Sequence, residues 1–382
     1  MMFKKGYVLV LPSWYPSKAD VFNGDFNQRT VHVLSTHIPQ VVIYVVPYNL
    51  TKKLKVEREV KENVITIRGY FPKSNFKIID LFIYLKVYFK LIKKELKQNG
   101  KPLYIHTYVF FPAGLLSYYF AKKLKVKNVL TEHWSIIYPS NEFSISKRFL
   151  PFKLLLSNTL KSFDLILPVV EALKEAISHW APKVEKVVIS NVVDTSLFYF
   201  RNDLKSTDFT FLHVSSLEKH KNPQGILEAF KCQLMLGQSI KLKFIGPLNA
   251  ELLQKVDECS YLRKNVEFLG EMQNYEVAFA MQKSHVLIMN SCYESQPCVI
   301  LEALCCGLPI VTSDVGGISE IINDCNGILF QQGNLSIALG DMIKFYRNFN
   351  NKMISENAID NFSCEAISIK TINVLMEKNV ID

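Results

Sequence analysis

NSCYESQPCVILEALCCGLPIVTSDVGGISE, residues 290–320, is the stretch that decides the fold. Pro297 suits the first position of a helix and Gly307 its exit, which predicts a short helix over 297–306. A β-branched run at 310–312 follows as a strand, and the pair Gly316 and Gly317 opens another helix. Inside the first helix Glu302 is flanked by Val299, Ile300, Leu301, Ala303 and Leu304, so the helix is apolar almost all round and should be buried. A buried carboxylate needs a partner to offset its desolvation, and a pair of ligand hydroxyls would serve. A second acid, Glu294, stands eight positions earlier.

The same alternation runs outward through the chain. Runs rich in Val, Ile, Leu and Tyr recur at 7–11, 41–46, 64–67, 103–105, 128–130, 165–169 and 187–189, with helical patterns between them. A second set follows the polar stretch 201–208, at 210–214, 242–245, 266–269, 286–289, 310–312 and 328–330. The 382 residues exceed what one core usually serves, and the pattern predicts α/β architecture with two Rossmann-like, doubly wound parallel-sheet domains, 1–197 and 198–360. Ligands of such sheets bind beyond the carboxyl ends of the strands, which places the expected site in a cleft between the domains.

Composition narrows the function classes. Hydrophobic residues make up 49% of the chain and aromatics 12%, which supports folded cores and argues against disorder. All eight cysteines lie in the second half without Cys-x-x-Cys spacing, and the adjacent Cys305 and Cys306 read as small apolar fillers in a reducing cytoplasm. The apolar run ending at Pro12 is short for a signal peptide, and no segment reaches a membrane span. The net charge of +10 calls for an anionic partner: a nucleotide diphosphate or an acidic membrane surface, and not nucleic acid, for which no zinc-finger spacing or RNA-binding aromatic motif is present.

Residues 80–97, DLFIYLKVYFKLIKKELK, set Lys86, Lys90, Lys93, Lys94 and Lys97 at helical spacing opposite Phe82, Ile83, Val87, Phe89 and Leu96. This helix either packs on its own sheet or lies against an anionic bilayer, to which Lys147, Arg148, Lys153 and Lys161 would add charge.

Taken singly, Glu302 could accept from structural groups and Glu294 be an ordinary loop acid. Together with the strand at 310–312 and the glycine turn they resemble the glutamate, seven residues, glutamate signature of family-four retaining glycosyltransferases. The resemblance continues in LPSWYPSKADVFNGDFNQRTVHVL, with Gly24 at the glycine-loop position; in VLTEHWS, with His133; in VVISNVVDTSLF, with Asn191 and Asp194 in the domain-crossing segment; and in VSSLEKHKNPQGILEAF, with Lys221. It implies the GT-B fold and a segment, 361–382, that crosses back to the N-terminal, acceptor-side domain. It also implies a nucleotide-sugar co-substrate, UDP- or GDP-linked, with no other cofactor and no metal. The absence of an Asp-x-Asp pair points the same way.

By this resemblance Glu294, His133 and Lys221 are the catalytic residues: Glu294 faces the donor sugar, His133 bonds a sugar hydroxyl, and Lys221 holds the diphosphate. Glu302 would take the ribose hydroxyls. Gly24 and the backbone of Ser295, Gln296, Pro297 and Cys298 would complete the donor site, and His106 would line the acceptor side. Four positions depart from the family pattern. Ser216 stands where many members have the second cation of the diphosphate clamp, Gln296 and Pro297 replace Phe-Gly, and Val192 replaces a glycine. The implied activity is metal-independent hexosyl transfer to a saccharide acceptor, lipid-linked, in surface polysaccharide or glycan synthesis at the inner face of the cytoplasmic membrane. The competing readings are a sugar-nucleotide epimerase of the same fold and a non-catalytic binding subunit, the latter motivated by Ser216.

Overall fold

The computed structural model describes residues 6–382. The chain divides into two compact units, Met1–Val192 with Ile367–Asp382, and Val193–Ala366. The boundaries lie a few residues from those drawn on the sequence, 197/198 and 360/361. The reason is a local pairing within the second unit, where the Val193 amide donates to the Phe362 carbonyl at 2.8 Å.

The first unit is built on eight strands: β1 (Val8–Pro12), β2 (Gln40–Pro47), β3 (Lys55–Lys61), β4 (Val64–Phe71), β5 (Tyr104–Tyr108), β6 (Lys127–Glu132), β7 (Leu165–Pro168) and β8 (Glu185–Lys186). Their order is β3-β4-β2-β1-β5-β6-β7-β8, parallel except for β3 on β4. The helices are α1 (Asp25–Ser35), α2 (Lys77–Asn99), α3 (Gly114–Leu124), α4 (Leu150–Leu160) and α5 (Glu171–Trp180). Central strands such as VLVLP are buried along their whole length because helices cover both faces. In register, Leu11, Thr107, Leu130 and Ile166 share one face. Side chains of α2 and α3 pack on that face around Leu11, and those of α4 and α5 around Leu130 and Ile166, so four helices form one layer.

The second unit has six parallel strands, β9 (Phe209–Val214), β10 (Ile240–Ile245), β11 (Val266–Phe268), β12 (Val286–Met289), β13 (Ile310–Ser313) and β14 (Gly327–Phe330), ordered β11-β10-β9-β12-β13-β14. Its helices are α6 (Pro223–Met235), α7 (Ala250–Asp257), α8 (Ser260–Asn265), α9 (Asn274–Lys283), α10 (Cys298–Cys305), α11 (Leu335–Phe345) and α12 (Asn351–Phe362). A last helix, α13 (Cys364–Glu377), carries the chain from the second unit back into the first.

Several sequence-based expectations are corrected here. β3 was not foreseen, because KVEREVK is a charged, exposed edge strand without an apolar run. The expected strand at 187–189 is shifted to Glu185–Lys186, although the Val187 and Ile189 amides still donate to Ile166 and Pro168 of β7. Phe82 is not on the buried face of α2: it is 69% exposed, while Tyr84, Val87, Tyr88, Leu91 and Ile92 make the contact. Among the described residues no helix is long and apolar enough to cross a membrane.

Candidate active site

In the second unit the loops beyond β9, β12 and β13 come together. His213, in β9, is fully buried; its Nδ1 lies 2.8 Å from the Ile288 carbonyl and its Nε2 2.7 Å from the Ser215 hydroxyl. A carbonyl only accepts, so Nδ1 carries the proton and Ser215 donates to Nε2, while its oxygen accepts the Leu217 amide at 3.0 Å. Burial lowers the His213 pKa to about 4, which keeps the ring neutral as this arrangement requires. The chain leaving β9 then makes one 3₁₀ turn, Lys219–Lys221, and Asn222 caps α6 by accepting the Gly225 amide.

This turn is fastened to the loop after β12. The Cys292 amide donates to the His220 carbonyl at 2.7 Å, and the His220 and Tyr293 rings stack 5.1 Å apart. Lys221 Nζ meets Glu294 Oε1 at 2.5 Å, with both side chains largely shielded. From the β13 side Gly316 closes the arrangement. A Cβ there would sit 1.8 Å from the Glu294 carbonyl oxygen, and its φ of +59° is left-handed. The close approach that a glycine permits at 316 is therefore to the chain's own Glu294 backbone. The helix expected after the glycine pair is a single 3₁₀ turn, Ile318–Glu320.

Pro297 proves to be the N-cap of α10, one position before the helix, and α10 runs Cys298–Cys305. Glu302 is buried on it as expected, at 7% exposure. Burial, then the charge of Glu302, raises the Cys305 thiol to about 12 and shifts Cys306 in the same direction, so both behave as apolar filler. Ser295, just before the helix, is buried with a hydroxyl that has no hydrogen-bond partner, and so is the Ser291 hydroxyl. Gln296 is buried beside Ser295, whereas Cys298 is part-exposed and Ser216 is exposed at the end of β9. Both hydroxyls stand on the loop after β12 that also carries Glu294.

In the first unit Gly24 is the left-handed N-cap of α1, with φ +69°. A Cβ would meet the Trp14 carbonyl at 2.5 Å, so this glycine too is required by the chain itself. The next turn of α1 ties back through Asn27 Nδ2, which donates to the Trp14 carbonyl at 2.9 Å. Phe26 of α1 packs on His133, ring centroids 4.6 Å apart. His133 directly follows β6, with Asn191 as its polar neighbour; burial takes its pKa down to about 3, against the opposing pull of Asn191. Asn191, placed by the sequence in the domain-crossing segment, thus stands against the candidate histidine.

His106 is a correction. It lies in the middle of β5 instead of beyond its end, because the strand runs on through Tyr108. Its ring is fully buried, bonded through Nε2 to the Thr131 hydroxyl at 2.8 Å and stacked on Tyr108, and burial lowers its pKa to about 3. It belongs to the sheet and presents no acceptor-facing surface.

The residue that sequence reasoning missed is Glu132, the last of β6. It is fully buried, and one oxygen accepts the Phe110 amide at 2.8 Å while the other accepts the His133 and Trp134 amides at 2.9 and 2.7 Å. It therefore locks the exits of β5 and β6 together and fixes where His133 begins. Burial pushes its pKa up to about 7, with the three amides pulling the other way. An acid inside the apolar run VLTEHW was the available signal.

Two parallel-sheet units with these loops at their strand ends define the GT-B architecture of glycosyltransferases. Across 97% of the chain, the structure superposes on sucrose-phosphate synthase from Thermosynechococcus elongatus with a TM-score of 0.79 at 18% identity, covering 98% of that protein. A second solved structure, Anabaena Alr3699/HepE in complex with UDP, matches with a TM-score of 0.71 at 17% identity, over 97% of this chain and all of the other. Residues 196–359 match the family model of glycosyl transferases group 1. Among curated relatives, an uncharacterized glycosyltransferase of Methanocaldococcus jannaschii is 27% identical over 303 residues, 75% of this chain and 79% of that one.

Proposed function

We propose that the protein is a family-four retaining glycosyltransferase that moves a hexose from a UDP- or GDP-linked donor to a saccharide acceptor, lipid-linked, in surface-polysaccharide or glycan synthesis at the inner face of the cytoplasmic membrane. The observation that carries this reading is the Lys221–Glu294 pair standing beside the buried, unpartnered hydroxyl of Ser295 at the head of α10, the helix that bears Glu302. The solved Anabaena relative is a complex with UDP, which supports the choice of donor class.

In this reading Lys221 turns from Glu294 to the donor diphosphate and stabilises the charge that grows as the anomeric carbon–oxygen bond breaks. The positive end of α10 adds to that field without any protonation step. Glu294, released, faces the sugar, and Glu302 holds the ribose hydroxyls. The acceptor hydroxyl attacks the anomeric carbon from the face the diphosphate leaves, and its proton passes to a departing phosphate oxygen. His133 is neutral at working pH and offers a hydrogen bond to a sugar hydroxyl instead of a charge. These residues supply the charge stabilisation, so transfer needs no metal.

A thermal-shift screen with UDP, GDP, ADP and their sugars tests the donor class, since a ligand that binds only the folded state raises its melting point. A selective shift with a uridine or guanosine ligand is expected. Lys221→Ala and Glu294→Gln should each lower transfer by about 100-fold or more while the melting point without ligand changes little. Near-normal turnover in both variants would remove the site assignment.

A further inference from the structure

We propose that a groove along α9 in the second unit binds an uncharged saccharide chain, the stretch of acceptor behind the end that reacts. The groove is a cavity of about 890 Å³ between α9, the segment 196–206 and the sheet. Its origin lies in the strand pattern. α9 covers β9 and β12, packing Val277, Ala278 and Met281 around Leu212 and Leu287. On the same face, in register with Leu212, stand Lys243 of β10 and Glu267 of β11, a solvent-open ion pair at 3.1 Å. Charged side chains there give α9 no apolar surface to extend over, and a trough remains beside it.

Rings and charge name the occupant. Tyr275 and Phe279, one turn apart on α9, line the groove and are 62% and 48% exposed. Residues so spaced on a helix stand about 5–6 Å apart, close to the step between successive sugar rings in a chain. A sugar ring rests its C–H face on an aromatic face and turns its hydroxyls to the polar groups beside it. Those groups are already paired. Arg201 bonds both oxygens of Asp203 at 2.9 and 2.7 Å, Lys243 meets Glu267, Lys283 Nζ lies 4.1 Å over the Phe279 ring, and the Glu276 carboxylate accepts the Gln273 amide at the head of α9. Three cations thus stand with three acids, and the groove is neutral in a chain of net charge +10. A phosphate-bearing ligand finds no surplus cation, and a lipid tail would strip water from the ions without bonding to them. Hydroxyls can bond to paired ions without separating them, because guanidinium and carboxylate groups keep donors and acceptors to spare.

The direction of the groove suits a chain. Met272 and Tyr275 follow β11 at the carboxyl edge of the sheet, the edge at which Lys221 and Glu294 follow β9 and β12. Thr210, at the start of β9, and Ser284, just before β12, line the groove at the amino edge. A saccharide lying in it therefore runs from the edge of the candidate site down the depth of the sheet. Holding the chain at a second place raises its local concentration at the reacting end. The inference rests on the saccharide acceptor proposed above, but its test reads binding without any donor, so the two give separate results.

The experiment is saturation-transfer NMR on the full chain with neutral oligosaccharides of glucose, galactose, mannose and N-acetylglucosamine, from monomer to hexamer. At least one series should bind, with affinity that rises with length. Tyr275→Ala/Phe279→Ala should weaken that binding about tenfold or more. Its melting point should match the wild type, because both rings already face solvent, and its melting-point shift with UDP or GDP should be unchanged. Tyr261→Ala, which removes a ring 61% exposed on α8, should bind saccharide as the wild type does. Binding by no series, full binding in the double variant, or tighter binding of a sulfated hexamer than of its neutral parent would overturn the proposal. Saccharide binding without any nucleotide shift would uphold the groove and count against the proposed donor site.

Discussion

Gly24 and Gly316 show how much a single missing Cβ can organise. In the sequence Gly24 stands at the glycine-loop position and Gly316 in a glycine pair expected to open a helix. In the folded chain each is required first by a backbone carbonyl, that of Trp14 or of Glu294, which lies where a side chain would start. For Gly316 the consequence reaches the chemistry, because the carbonyl belongs to the residue that pairs with Lys221. Gly316→Ala must push Glu294 aside, and transfer should fall at least tenfold with a loss of stability of about 2 kcal/mol or more. Gly237→Ala is the control: its φ is also positive, at +84°, but nothing lies within 4 Å, so a cost of about 1 kcal/mol with normal transfer is expected. Equal effects of the two substitutions on turnover would show that crowding at Glu294 does not matter. Glu132 escaped notice for a related reason: its role consists of three backbone amides brought from two loops, and no linear motif records which amides a carboxylate will meet.

Elements were legible where apolar runs are bounded by glycine or proline, as in β1, β2 and β13. They were not where polar side chains conceal the period. In β3 the alternation is carried by charges: Glu57 meets Lys18 and Lys55, Glu59 meets Arg68, and Arg58 reaches across to Glu95 of α2. That last contact is a fork, with Arg58 Nη1 2.9 Å from both oxygens of a carboxylate that is only 3% exposed. Removing the cation leaves a buried charge without compensation, whereas removing both leaves ordinary packing. Arg58→Met should therefore destabilise the protein by about 2 kcal/mol, a value reduced from the fully buried case because Arg58 itself is 40% exposed. The double variant Arg58→Met/Glu95→Leu should recover most of that loss in urea unfolding. A double variant no more stable than Arg58→Met alone would show that the fork contributes by geometry and not by compensating Glu95. The identity of His106 as a sheet residue was hidden for the same reason, since a histidine in YIHTY breaks the apolar run that would have extended the strand.

At the scale of the molecule, both units keep a fully buried neutral histidine in the sheet, and these contribute to how the protein responds to acid. His106 in the first unit and His213 in the second have pKa values lowered by burial to about 3 and about 4, from 6.5 in the unfolded chain. A depressed histidine contributes stability that is complete above pH 6.5 and is lost as pH falls, because the unfolded chain takes up a proton that the folded one refuses. Between pH 6.5 and 5 each such group costs about 2 kcal/mol. Glu132 works in the opposite sense. Its folded pKa of about 7 lies above the unfolded 4.5, so the folded protein takes up the proton first and gains stability as pH falls through that window. Around it stand His133, itself lowered to about 3, and the three amides that hold its carboxylate. In the first unit Glu132 accordingly offsets His106, and the net acid loss is smaller than the histidines alone would give. Urea unfolding at pH 7 and pH 5 should show a fall in stability for the wild-type protein, and Glu132→Gln should make that fall steeper by about 2 kcal/mol, since glutamine keeps the side chain's shape but takes up no proton. A substitution that only loosened the loops would lower stability equally at both pH values, so parallel curves for the two proteins would refute a proton on Glu132.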